Sequence, residues 1–100
     1  MAAKRNNISV FKQNYEAVIK RGLIKPETTD RDFCRKADEE LREVHQALYS
    51  LETDKENNLD EEITDLMNAC SNWLIHRGKD PTEELEKVLI KNQKRAENNS

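Results

Sequence analysis

Glu40-Leu41-Arg42-Glu43-Val44 and Glu62-Ile63-Thr64-Asp65-Leu66 share one order: Glu, apolar, polar, acid, apolar. Residues three apart lie on nearly the same side of a helix, so Glu40 pairs with Glu43 and Glu62 with Asp65. In each copy the acidic pair borders an apolar stripe. Around the first copy, Phe33, Ala37, Leu41, Val44, Leu48 and Leu51 recur at three- and four-residue steps. They predict a helix from a cap at Thr29 or Asp30 to about Leu51. At roughly 100° per residue, Glu40 flanks that stripe and Glu43 lies further round on the same side. Lys36 and Ala47 share this edge, whereas Glu39 points away and reads as a solvated residue.

Around the second copy, Leu59, Ile63, Leu66, Met67, Cys70, Trp73 and Leu74 predict an inward face ending near His76-Arg77-Gly78. Asn58 and Glu61 have the spacing of a variant capping box, and Ala69 repeats the placing of Ala47. Before these helices, Ile8, Phe11, Tyr15, Val18 and Ile19 predict a short helix with Ser9 as cap and Gly22 as stop. Leu23-Ile24-Lys25-Pro26 reads as an extended connector, because Pro26 disfavours a helical Lys25. Its apolar pair is expected to tuck against the bundle. After them, Asp80-Pro81-Thr82-Glu83 marks a helix start, with Leu85, Val88 and Leu89 inward. Asn92 then stands where a hydrophobe is expected, flanked by Lys91 and Arg95.

The expected fold is all-α, a four-helix-bundle-type subunit. It has a short N-terminal helix, two long antiparallel helices carrying the acidic motifs, and a C-terminal helix. One domain spans 1–100, with its motifs in 29–95, while 1–7 and 97–100 are expected to be disordered. With 35% hydrophobic and 37% charged residues, the core must be thin. Pairing with copies of itself, as a homodimer or homotetramer, is the expected remedy.

The net charge of −3 offers no general attraction to nucleic acid or to an anionic membrane. No apolar run approaches membrane-spanning length. Cys34 and Cys70 fall on or near apolar stripes, with no C-x-x-C and no signal peptide. They read as reduced, partly buried thiols of a cytoplasmic protein.

If the two stripes face each other, the two acidic edges approach. Two carboxylates 4 Å apart repel by about 1 kcal/mol in water and about 4 at a partly buried site. Either some acids stay protonated, or they diverge into solvent, or a cation sits among them. Oxygen ligands without a matched His or Cys favour Mg²⁺ or Mn²⁺. A di-iron carboxylate bundle needs E-x-x-H, and His45 is only two residues after Glu43. E-x-x-E alone arises by chance in a chain with 20 acids; the matched apolar phase of two copies is what argues for a site.

The chain resembles the MazG-like branch of the all-α nucleoside triphosphate pyrophosphatases. The resemblance rests on Glu39-Glu40-Leu41-Arg42-Glu43, then Glu62-Ile63-Thr64-Asp65, then Lys91-Asn92-Gln93-Lys94-Arg95, in that order between Thr29 and Arg95. It implies that Glu40, Glu43, Glu62 and Asp65 bind Mg²⁺ and form the catalytic set. It implies hydrolysis of a nucleoside triphosphate, deoxy or non-canonical, to the monophosphate and pyrophosphate. Lys91, Asn92 and Arg95 would contact the phosphates. A phosphoribosyl-ATP pyrophosphatase shares the acidic motifs, and a catalytically silent helical interaction module is the rival from another class.

Other residues carry two readings each. Lys36 is first an ion-pair partner of Glu40 one turn away, and then a further phosphate contact. Trp73 is first a core residue and then a base-stacking one, with Phe33 as its companion in a base pocket. Phe11 and Tyr15 read as core, although an N-terminal helix lining that pocket would suit the family architecture. His45 and His76 read as surface or interface residues, His76 being well placed at a helix C-terminus.

Overall fold

Ser9 opens the first helix: its hydroxyl accepts from the Lys12 N–H and leaves α1 running Val10–Lys20. The computed structural model describes residues 9–51 and 58–98. Gly22 ends α1 with φ +77°, a backbone conformation open to glycine, while the Leu23 N–H returns to the Val18 carbonyl. Thr29 caps α2, Asp30–Leu51, through a reciprocal pair of bonds. The Asp32 N–H donates to the Thr29 hydroxyl and the Thr29 N–H donates to the Asp32 carboxylate.

α3 spans Leu59–His76 and α4 spans Pro81–Asn98. The Asn58 side chain makes no capping bond, which corrects the capping box expected from Asn58 and Glu61. Three acids in the first turn of α3, Asp60, Glu61 and Glu62, leave that helix start favoured by the dipole instead. Gly78, at φ +81°, closes α3 as the Lys79 N–H bonds the Leu74 carbonyl. Asp80 then accepts from Thr82 N–H, with Pro81 at the first helical position.

The described residues are therefore all-helical, four helices with no strand. The end of α4 differs from expectation, since Glu97 and Asn98 remain helical. Residues 1–7 and the connector after Leu51 lie outside the described residues, as do 99–100. No described helix is long and apolar enough to cross a membrane.

α2 and α3 form the main packing unit, α1 lies against α3, and α4 touches α3 only lightly. Asp30 at the start of α2 binds Trp73 and Arg77 at the end of α3, while Glu40 and Glu43 act on Glu62 near its start. These pairings are those of an antiparallel hairpin.

The seam follows only part of the apolar stripe: Phe33 is buried, and Ala37, Val44, Leu66, Trp73 and Leu74 are half-buried. Buried on α2 and α3 are Phe33, Ala47, Glu62, Ala69, Ser71 and Asn72. Leu41, Leu48, Leu51, Ile63 and Met67, expected inward, are exposed, with Met67 at 55%. Leu85, Val88 and Leu89 of α4 are exposed too, and so is Ile19 of α1. The reason is steric and arithmetic. Ala47 and Ala69 let the two backbones approach along the small-residue edge, and one thin chain has no further helix to cover what lies beyond. Of the connector's apolar pair, Ile24 is buried and Leu23 is exposed.

An aromatic and polar knot fixes the far end of the hairpin. Phe33 stacks on Trp73 with centroids 6.4 Å apart and planes within 8°. Trp73 Nε1–H donates to Asp30 Oδ1 at 2.9 Å, and Arg77 donates to Oδ2 at 2.8 Å. His76 Nε2 lies 2.9 Å from the Thr28 carbonyl, so this nitrogen carries the proton in the neutral ring. Nδ1 then accepts from the Tyr15 hydroxyl at 2.9 Å. His76 is thus a half-buried tie between α1, the connector and α3, not the surface residue its position suggested. His45 is exposed. Cys34 and Cys70 are free and exposed, which corrects their expected partial burial.

Candidate metal and nucleotide site

Because the acidic edge is the seam, the hairpin drives its carboxylates together. Glu62 is buried and its carboxyl is pushed above the ordinary value. The loss of water is the largest cause, followed by the charge of Asp65 one turn on and by Glu43 across the seam. A hydrogen bond with Asp65 and the charge of Glu40 add to it. Glu43 and Glu40 thus act on Glu62 by charge from across the seam, with Glu43 exposed and Glu40 half-buried.

Glu61, Glu62 and Asp65 each place a carboxylate oxygen within 4.8 Å of the others. Glu61 was missed from the sequence because its spacing to Asn58 suggested a cap. Freed from that bond, it joins the acids of its own turn. An all-oxygen donor set, held together against its own repulsion, suits a hard divalent cation such as Mg²⁺ or Mn²⁺.

Beside the acids lies a cavity of about 490 Å³, within the range of small-molecule sites. The end of α1, the connector, α2 and α3 enclose it. Val18, Leu23, Ile24, Phe33 and Ala69 supply apolar wall. Glu40 and Asp65 line it as well, so the cavity and the acid cluster share two residues. Cations come from Arg21, Arg35 and Lys36. Lys36 Nζ sits 3.1 Å from Glu40 and 3.9 Å from exposed Glu39, while Arg35 pairs with Asp32 at 3.4 Å. Arg21 makes no ion pair among the described residues.

The other sequence-derived candidates are placed differently. Phe33 lines the cavity; Trp73 does not, being tied to Asp30. Lys91, Asn92 and Arg95 are all exposed on α4, and none of them lines the cavity.

Among the cavity residues not singled out from the sequence are Arg21 and Asn72. Arg21 is the C-cap of α1, and nothing in its spacing links it to the acids of later helices. Asn72 was within reach: it follows Asp65 by seven residues, two helical turns on the same face. It is buried, it lines the cavity, and its Oδ1 has no hydrogen-bond partner. Compared with known proteins, the chain matches no family model, no curated protein and no solved structure.

Proposed function

We propose that the protein is a divalent-cation-dependent pyrophosphohydrolase of nucleoside triphosphates. The observation that carries this reading is buried Glu62, gathered with Glu61 and Asp65 and acted on by the charges of Glu43 and Glu40, beside a cavity lined by cationic side chains. Carboxylates gathered without a cation repel one another, so the arrangement suits a site filled by Mg²⁺ or Mn²⁺. Glu40, Glu43, Glu62 and Asp65 would hold the metal, with Glu61 adjacent. A metal there would neutralise phosphate oxygens and favour ionisation of water.

The chain's own residues supply the rest. Arg21, Arg35 and Lys36 offer charge-assisted hydrogen bonds to phosphate oxygens from the cavity side. A carboxylate of the cluster takes the proton as water adds to phosphorus, and the α–β phosphoanhydride bond breaks to leave a monophosphate and pyrophosphate. The repeated motifs, with the late Lys91-Asn92-Gln93-Lys94-Arg95 segment, support the same chemistry by their likeness to the MazG-like enzymes.

We also infer that the working form is a homodimer or homotetramer. Leu41, Leu48, Ile63 and Met67 are exposed, as are Leu85, Val88, Leu89 and Ile90 of α4, and a second copy would cover such apolar surface. On this reading α4 docks against another copy, and Lys91, Asn92 and Arg95 reach a phosphate site only in the assembly.

The test is pyrophosphate release from a panel of nucleoside triphosphates with Mg²⁺, including phosphoribosyl-ATP. Glu43→Gln and Asp65→Asn are each expected to lower kcat/KM by about 100-fold or more, since even residues that only orient metal ligands cost ~10–100-fold. Full activity in both variants would remove these acids from the site. Absence of any hydrolysis, with no Mg²⁺-dependent rise in Tm, would favour the interaction module.

A further inference from the structure

We propose that Asn72 is the base-reading residue of this site, and that the cavity selects a nucleobase presenting an N–H donor on its pairing edge. The proposal rests on the nucleotide reading above and deepens it. Its basis is an orphan. Asn72 is 5% exposed, and among the described residues its Oδ1 is the one buried side-chain oxygen or nitrogen without a partner. Leaving a buried acceptor unpaired costs about 1–3 kcal/mol, and folded proteins rarely keep one without a use.

The surroundings say what the use is. Asn72 lines the same cavity as Glu40 and Asp65, so whatever pairs with it lies in a space bordered by the acid cluster. Apolar wall from Ile24 and Phe33 suits a flat ring, and Arg21 with Lys36 suits phosphate. Three chemistries in one cavity of about 490 Å³ correspond to the three parts of a metal nucleotide: base, phosphate and cation. The amide torsion of Asn is broad and two-fold, and on this proposal its rotation brings Oδ1 from its enclosed position to the ring. The acceptor then pairs with an exocyclic amine, as in cytosine or adenine.

The experiment compares triphosphates that differ only in that donor. Cytidine is paired with its 4-desamino analogue, and adenosine with its 6-desamino analogue. Wild-type protein with Mg²⁺ is expected to favour at least one amino-bearing member by about 10–100-fold in kcat/KM, the equivalent of one unpaired buried group. Asn72→Leu is expected to bring that ratio close to one. It is also expected to keep or raise the Tm of the metal-free chain, because an apolar side chain of similar shape removes the orphan. Asn72→Asp, which keeps an acceptor, is expected to retain part of the preference.

A wild-type ratio near one for both pairs overturns the proposal while leaving the hydrolase reading intact. So does a ratio unchanged in Asn72→Leu. If no triphosphate is hydrolysed, the hydrolase reading fails by itself, and the cavity is tested by NMR titration with the unphosphorylated nucleosides. Shifts at Asn72 with the amino nucleoside and not with its desamino partner would support base reading; no shift with either overturns it.

Discussion

Glu62 shows how one residue's surroundings become a property of the whole chain. In the unfolded chain its carboxyl titrates near 4.5, and folding raises that value. Between the two values the folded state holds a proton that the unfolded state has released. The contribution to stability is thus present below pH 4.5 and is lost as pH rises through the raised value. Asp30 and Asp32 act in the opposite sense. Hydrogen bonds from Trp73 and Arg77 lower the first, and bonds with Thr29 lower the second. Their contribution is therefore lost only as pH falls below 3.8. Comparing wild type with Glu62→Gln in thermal melts from pH 4 to 8 isolates the Glu62 contribution. The variant is expected to lose the decline above pH 4.5 and to melt higher than wild type at pH 7 without metal. Added Mg²⁺ is expected to raise the Tm of wild type and to leave that of the variant nearly unchanged.

At the scale of the helix, four elements and most of their ends were legible in the sequence. Ser9, Gly22, Thr29, Gly78 and Asp80-Pro81 stop or start the chain by local chemistry that needs no tertiary partner. The acidic pairs were legible because two motifs in the same helical phase are a local pattern as well. The packing face was legible only in part: Phe33 and Val44 turn inward as expected, whereas Leu48 and Met67 do not. Periodicity reports which residues share a side of a helix, and a stripe of Leu and Ile looks inward whether its cover comes from its own chain or from another. The seam instead follows the edge where Ala47 and Ala69 are small enough for close approach. Ala69→Leu is accordingly expected to destabilise the fold by about 1–3 kcal/mol through overpacking, read as a lower urea midpoint with unchanged m-value. Asn72 and Arg21 were missed for another reason: their significance comes from a cavity assembled by three helices and a connector.

The whole molecule follows from a shortage of cover. Among the described residues, thirteen large hydrophobic side chains stand exposed, including Leu48 and Met67 on the hairpin and Leu85, Val88 and Leu89 on α4. In solution the chain is expected to exceed its 11.7 kDa monomer mass by light scattering. The double substitution Leu48→Glu with Met67→Lys is expected to return it to that mass while far-UV circular dichroism stays helical. A wild-type chain already monomeric at high micromolar concentration would end the oligomer reading. The composition, 37% charged, had pointed to a thin core. It could not say which face of which helix would be left over.

The knot of Phe33, Trp73, Asp30 and Arg77 bears on the acids although it does not touch them. Ten residues of helix, about 15 Å, separate Asp30 from Glu40 on α2. The repelling carboxylates thus sit on a hairpin pinned at its Asp30 end, which limits how far they relax by spreading. If these acids hold a cation as proposed, it meets ligands already gathered, and little of its binding energy is lost to reorganising them. Affinity at such a site is set partly by the stiffness of the distant pin.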